Sequence, residues 1–270
     1  MTQEPQETHE TPAARNVPAQ LAALHADRRS CAVLVSGSPG GVIHVRDGMV
    51  VGMETPGAPG VEVLLLKSHR IAEDDWTAAR ATGTDPARLA LELVARGLLG
   101  ATELEVIGRA ALFDAAFALA LTSPDGWEVT APRPLLDTGT AVPPDRLLTE
   151  NTRRIRLLSN ERGATARFAR DRLEPAPAAR DPRQTDRLSP RHRTLLAVTD
   201  GRRTPRDIAF ALGRGLFAVM LDLRDLLALG LLQPPPATPA GRPSTAPRTP
   251  PSPPTAAPHP AATPLPRRKR

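Results

Sequence analysis

The chain has 270 residues, 40% of them hydrophobic but only 3% aromatic and none Tyr. Its core must therefore come from Leu, Val, Ile and Ala, and base-stacking platforms for single strands are disfavoured. The formal charge of +6 is unevenly placed: residues 1–150 hold 12 Lys+Arg against 20 Asp+Glu, whereas residues 151–270 hold 23 against 9, so nucleic-acid character belongs to the second half.

Only Lys67 and Lys269 are lysines, and that Arg preference, with many Ala, Pro and Gly, reads as GC-rich codon usage; the charge asymmetry does not. Cys31 stands alone, so no internal disulfide can form. Residues 1–17 are polar and acidic, which predicts a disordered tail and no signal peptide. The longest apolar stretch, Ala110 to Leu121, is interrupted by Asp114 and falls short of the ~20 residues of a spanning helix. A cytoplasmic protein without membrane contact is expected.

Leu21 and Leu24 suit a short first helix. Cys31 to Val35, then Val42, Ile43 and Val45, then Met49 to Val51 predict three antiparallel strands, because Asp47-Gly48 is a hairpin turn signal. Val61 to Lys67 predicts a helix packed on the sheet, Asp74-Asp75-Trp76 opens another, and Pro86 to Arg96 carries leucines at helical spacing. The longest helix runs from Thr102 to about Leu121, and Trp127 to Thr130 predicts an edge strand.

Pro and Gly dominate residues 131–145, Leu147 to Leu158 predicts a helix, and Glu161 to Arg187 is rich in Arg with few large apolar residues. That composition predicts a mobile basic linker. In Ser189 to Leu232, Ser189-Pro190 and Thr204-Pro205 each read as an N-cap followed by a first helical Pro. Thr204 with Asp207 resembles a capping box. The result is a helix of roughly eight residues, a short turn at Gly213 to Gly215 and a longer helix, the lengths of a helix-turn-helix. The last 38 residues hold 14 Pro and close on Arg267-Arg268-Lys269-Arg270, which predicts a disordered or polyproline tail.

The stretch SCAVLVSGSPGGVIHVRDGMVVGMETP followed by GVEVLLLKS resembles the PATAN-type regulatory domain of bacterial, especially actinobacterial, signalling proteins, over roughly residues 18–130. The segment LAVTDGRRTPRDIAFALGRGLFAVMLDLRDLLALGLL is similar to the winged-helix segment of MarR-like transcriptional regulators. The resemblance implies a regulator or adaptor without catalytic residues. One departure is that Gln233 and the prolines after it should supply no paired wing strand.

Gly37 to Gly41 lacks a Gly-Lys-Ser/Thr ending and precedes a strand, so it reads as a hairpin loop rather than a phosphate cradle. None of the six histidines sits at ligand spacing to another or to Cys31, and neither Ser36 nor Ser38 carries a nucleophile motif. No metal, cofactor or catalytic residue is expected. Of the 14 residues from Leu216 to Leu229, 11 are apolar, so that helix suits a core, a dimer interface or a protein-partner surface at Leu216, Phe217 and Met220 better than base reading. DNA phosphates are assigned to Arg202, Arg203, Arg206 and Arg214.

The expected fold is therefore α+β: a disordered tail (1–17), a small antiparallel sheet packed by helices (18–131), a basic linker with one helix (132–188), a helical winged-helix-like domain (189–233) and a disordered Pro/Arg-rich tail (234–270). The expected function is that of a non-enzymatic transcriptional regulator, with DNA at its basic half and a protein partner at its N-terminal domain. The alternative is a signalling adaptor that binds no DNA.

Overall fold

A computed structural model describes residues 16–82, 85–159 and 162–234. The Asn16 side chain accepts from the Ala19 amide at 3.1 Å and so caps helix α1 (Val17–Ala26). Strands β1 (Cys31–Ser36), β2 (Gly41–Arg46) and β3 (Met49–Glu54) follow. A later strand, β4 (Gly126–Thr130), returns beside β1, giving an antiparallel sheet in the order β3-β2-β1-β4. Asp47 and Gly48 take φ of 50° and 77°, the two left-handed residues that the tight β2–β3 turn needs. The three strands and the edge strand read from the sequence are present.

Helix α5 (Ala101–Ala120) lies on β3. Its Leu112, Ala115 and Ala116 share a core with Val33, Val35, Ile43 and Val50 of the sheet. Helices α2 (Val61–Lys67), α3 (Glu73–Arg80) and α4 (Pro86–Ala95) form a second cluster around Leu65, Trp76 and Leu93, joined by Leu104 of α5. Because α5 already covers the sheet, α2 packs on α5 and on a later helix instead of on the strands, where it was expected.

The second half departs furthest from expectation. Helix α6 (Pro144–Leu158) covers the helix expected at Leu147 to Leu158, but helix α7 (Arg162–Phe168), strand β5 (Glu174–Pro175), a 3-10 turn at Pro177–Arg180 and helix α8 (Pro182–Thr185) occupy what composition marked as a mobile linker. They are followed by α9 (Pro190–Val198), α10 (Pro205–Leu212), α11 (Leu216–Ala228) and β6 (Leu232–Gln233). The apolar residues of the supposed linker are few, but Ile155, Ala166, Leu173, Ala176 and Leu188 are all buried. They share one core with Phe117 and Ala118 of α5 and with Leu195, Ile208 and Leu223. Each element is short of apolar surface alone and is held by the common core.

Strand β6 pairs antiparallel with β5, Glu174 opposite Gln233 and Pro175 opposite Leu232. The expectation that Gln233 would find no strand is thus corrected, because pairing ends just before Pro234 removes a donor. The tails expected at 1–17 and 234–270 lie almost wholly outside the described residues. Among the described residues no helix is long and apolar enough to cross a membrane.

Candidate nucleic-acid interface

The helix-turn-helix punctuation forms as the residues dictate. Ser189 accepts from the His192 amide, and Thr204 and Asp207 make the reciprocal bonds of a capping box, Thr204 N–H donating to Asp207 Oδ2 at 3.0 Å. Gly213 ends α10 in the left-handed conformation at φ 57°. A Cβ there would come within 2.7 Å of the Ser68 amide, so this turn needs glycine twice over, for its φ and for the closeness of α2.

Helix α11, at the place where a recognition helix would lie, buries most of its apolar surface in the chain's own core. Leu216, Val219, Met220, Asp222, Leu223 and Leu226 are all buried, and α5, α6, α9, α10 and β6 surround it. Leu216, Phe217 and Met220 were assigned to a partner surface. Leu216 and Met220 are instead covered by the chain's own core, and half-buried Phe217 packs edge-on to Phe117 at 5.5 Å. The side left to solvent carries Ala218, Leu221, Arg224, Asp225 and Ala228, of which only Arg224 and Asp225 could read a base edge.

A buried ion pair fixes the start of α11. Arg154 of α6 donates to Asp114 of α5 at 2.6 Å and to Glu150 at 2.9 Å, while its guanidinium lies 4.8 Å from the Phe217 ring centroid. The amides of Leu216 and Phe217, the first of α11, also face the Asp114 carboxylate and favour its charge. Burial nevertheless pushes the Asp114 carboxyl above its ordinary value, against the opposing pull of Arg154. Arg153 and Arg154 together hold Glu150 down to about 2, with the hydrogen bond from Arg153 the largest cause.

A second cluster claims one of the four predicted arginines. Arg214 donates to buried Asp222 at 2.5 Å, with His192 Nε2 at 3.3 Å and Arg191 Nε at 3.4 Å from the other carboxylate oxygen. Arg214 is therefore committed inward to Asp222 and is not available as the phosphate contact expected of it. It also lies beyond the C-terminal end of α10, while Arg206 lies at its start, roughly 12 Å away along the axis. Ligating atoms of His192, Asp222 and Asp225 fall within 4.8 Å of one another, a proximity that sequence spacing did not reveal. Arg214 and Arg224 already balance the two carboxylates there.

The other three arginines stay exposed, in company the sequence did not suggest. Arg202, Arg203 and Arg206 are exposed around the α9–α10 loop, where Asp200 accepts from the amides of Arg202 and Arg203. Those amide bonds, that of Arg202 foremost, hold the Asp200 carboxyl below its usual range. Arg172 donates to the Arg202 carbonyl at 3.0 Å. Arg170, Arg172 and Arg206 line a cleft of about 450 Å³ that also touches the Gly37–Gly40 loop. Arg170 and Arg172 have no carboxylate partner among the described residues, and the one acid among the residues lining the cleft, Asp207, both caps at Thr204 and lies 3.6 Å from Arg206.

Sequence reading missed Arg170 and Arg172 because it assigned them to a mobile linker. Their position follows from the pairing of β5 with Leu232 and Gln233 of β6, which no local signal in the sequence announced. No family model matches the chain, and no curated protein and no solved structure is significantly similar to it.

Proposed function

We propose that the chain is a non-enzymatic regulatory protein that contacts duplex DNA through its phosphates, using a rim formed by Arg170, Arg172, Arg202, Arg203 and Arg206. In this reading α9 to α11 with the β5–β6 ladder form a winged-helix-like unit whose third helix is structural. The observation that carries the reading is the set of exposed arginines beside the start of α10, of which Arg170, Arg172 and Arg202 have no carboxylate partner among the described residues, while Arg203 and Arg206 lie 3.8 Å and 3.6 Å from Asp200 and Asp207. Phosphate contact needs charge and an approachable backbone, not base edges, so binding tolerates any sequence and weakens steeply with salt. The N-terminal sheet module carries a protein partner in this reading, and its net negative first half keeps that surface distinct from the basic one.

The burial of α11 favours a second reading, an interaction adaptor without DNA contact. Electrophoretic mobility of a random duplex with the full chain separates the two. Retardation at low salt that is lost on replacing the five arginines by glutamine supports the phosphate reading, and an unshifted duplex at low salt supports the adaptor.

A further inference from the structure

Arg170, Arg172 and Arg206 line the cleft of about 450 Å³ beside the Gly37–Gly40 loop, whereas Arg202 and Arg203 are not part of its lining. Its volume is that of a small-molecule site. All three lining arginines are exposed, so a ligand that enters the cleft can reach them.

Two of the three are held in place without being used up. Arg170 Nε donates to the Ala166 carbonyl at 3.2 Å and Arg172 Nε to the Arg202 carbonyl at 3.0 Å, while their terminal Nη groups bond to no described residue. One N–H thus orients each guanidinium, and the forked pair that matches two oxygens of an anion stays open. Orientation fixed beforehand lowers the cost of binding. Against the three guanidiniums the lining sets one carboxylate, Asp207, which accepts from the amide and hydroxyl of Thr204 and lies 3.6 Å from Arg206. Three positive charges and one negative leave the lining at a net +2.

That excess matches a phosphate monoester, with about two negative charges and three terminal oxygens, better than a carboxylate with one charge and two oxygens. The rest of the lining indicates what carries the phosphate. Exposed Pro56 and half-buried Pro39 and Ala169 offer accessible apolar surface, which an organic ester covers and a free ion does not. From these observations we propose that the cleft binds a small organic molecule through a phosphate monoester held by Arg170, Arg172 and Arg206. Competition between that ester and a duplex for the shared arginines rests on the DNA reading; the site itself does not.

Calorimetric titration of the full chain with phenyl phosphate, without DNA and at about 0.15 M salt to screen diffuse surface charge, tests the site separately from that reading. The expected result is saturable one-to-one binding. Inorganic phosphate should bind roughly five- to tenfold more weakly, for want of about 50 Å² of apolar contact, and benzoate weaker still. Arg170→Gln, Arg172→Gln and Arg206→Gln should each weaken phenyl phosphate roughly tenfold or more, the loss of a charged hydrogen bond. If circular dichroism shows one of these variants unfolded, the other two decide. The double variant Arg202→Gln, Arg203→Gln removes two neighbouring charges but keeps the Arg202 carbonyl, and should change affinity by no more than about twofold. Absence of phenyl phosphate binding, or the same loss in the double variant as in the cleft variants, overturns the site. Benzoate bound as tightly as phenyl phosphate overturns the phosphate assignment, and inorganic phosphate bound as tightly overturns the ester.

Discussion

Asp114 interrupts what would otherwise be the longest apolar run of the chain, and its position explains why a carboxylate is kept there. It receives Arg154 from α6 and faces the first amides of α11, so one side chain joins three helices. Both partners are largely buried, at 7% and 13% side-chain exposure. Asp114→Ala should lower unfolding free energy by about 1.5–3 kcal/mol, because it removes a charged hydrogen bond from a largely buried guanidinium and leaves it Glu150 alone. A paired Asp114→Leu, Arg154→Met replacement should recover most of that loss, and urea denaturation of the three variants checks both outcomes.

Glu150 titrates in the same network, and its sign is opposite to that of Asp114. Its folded value of about 2 lies below the unfolded one, so its stabilisation is complete above about pH 4.5 and is lost as pH falls towards 2. The gap in urea midpoint between wild type and Glu150→Gln should therefore be larger at pH 5.5 than at pH 2.5. Asp114, with its raised value, holds its proton in the folded state to higher pH than in the unfolded chain. It contributes most at acid pH and loses that contribution as pH rises through the raised value.

At the scale of elements, α11 separates two roles that its apolar composition left open. If its apolar residues are core, Met220→Ala should destabilise the isolated chain by about 2–5 kcal/mol; a residue kept for a partner would leave stability nearly unchanged. Thr204→Ala should cost about 1 kcal/mol through the lost cap of α10. Thermal melts of both variants decide these points.

These elements also mark how far the sequence was readable. Caps and turns are local chemistry, so Asp47-Gly48, Ser189-Pro190 and Thr204-Asp207 were legible from residues a few positions apart. The ordered course of 162–188 was not, because Leu173 and Leu188 show no period and acquire meaning only by meeting Phe117, Leu195 and Met220 in one core. The rim followed the same rule. Arg202, Arg203 and Arg206 were legible as neighbours, whereas Arg170 and Arg172 arrive through the pairing of β5 with β6, some 58 positions apart. The loss of Arg214 to Asp222 depends on a turn geometry that charge counting does not contain.

For the whole molecule, the charge asymmetry becomes a surface with an address. The basic half contains arginines committed inward, such as Arg154 and Arg214, and arginines left to solvent at the rim. The measurement that tests this most directly is the affinity of the full chain for a random duplex across a series of salt concentrations. Wild type and a variant with Arg267, Arg268, Lys269 and Arg270 changed to glutamine should both bind at low salt. Log affinity should fall with log salt at a slope of about −3 to −4, as three to four phosphate contacts require. Replacing Arg170, Arg172, Arg202, Arg203 and Arg206 by glutamine should remove that binding with the fold intact. Binding that survives in this variant, or is lost only with the four tail residues, would contradict the rim.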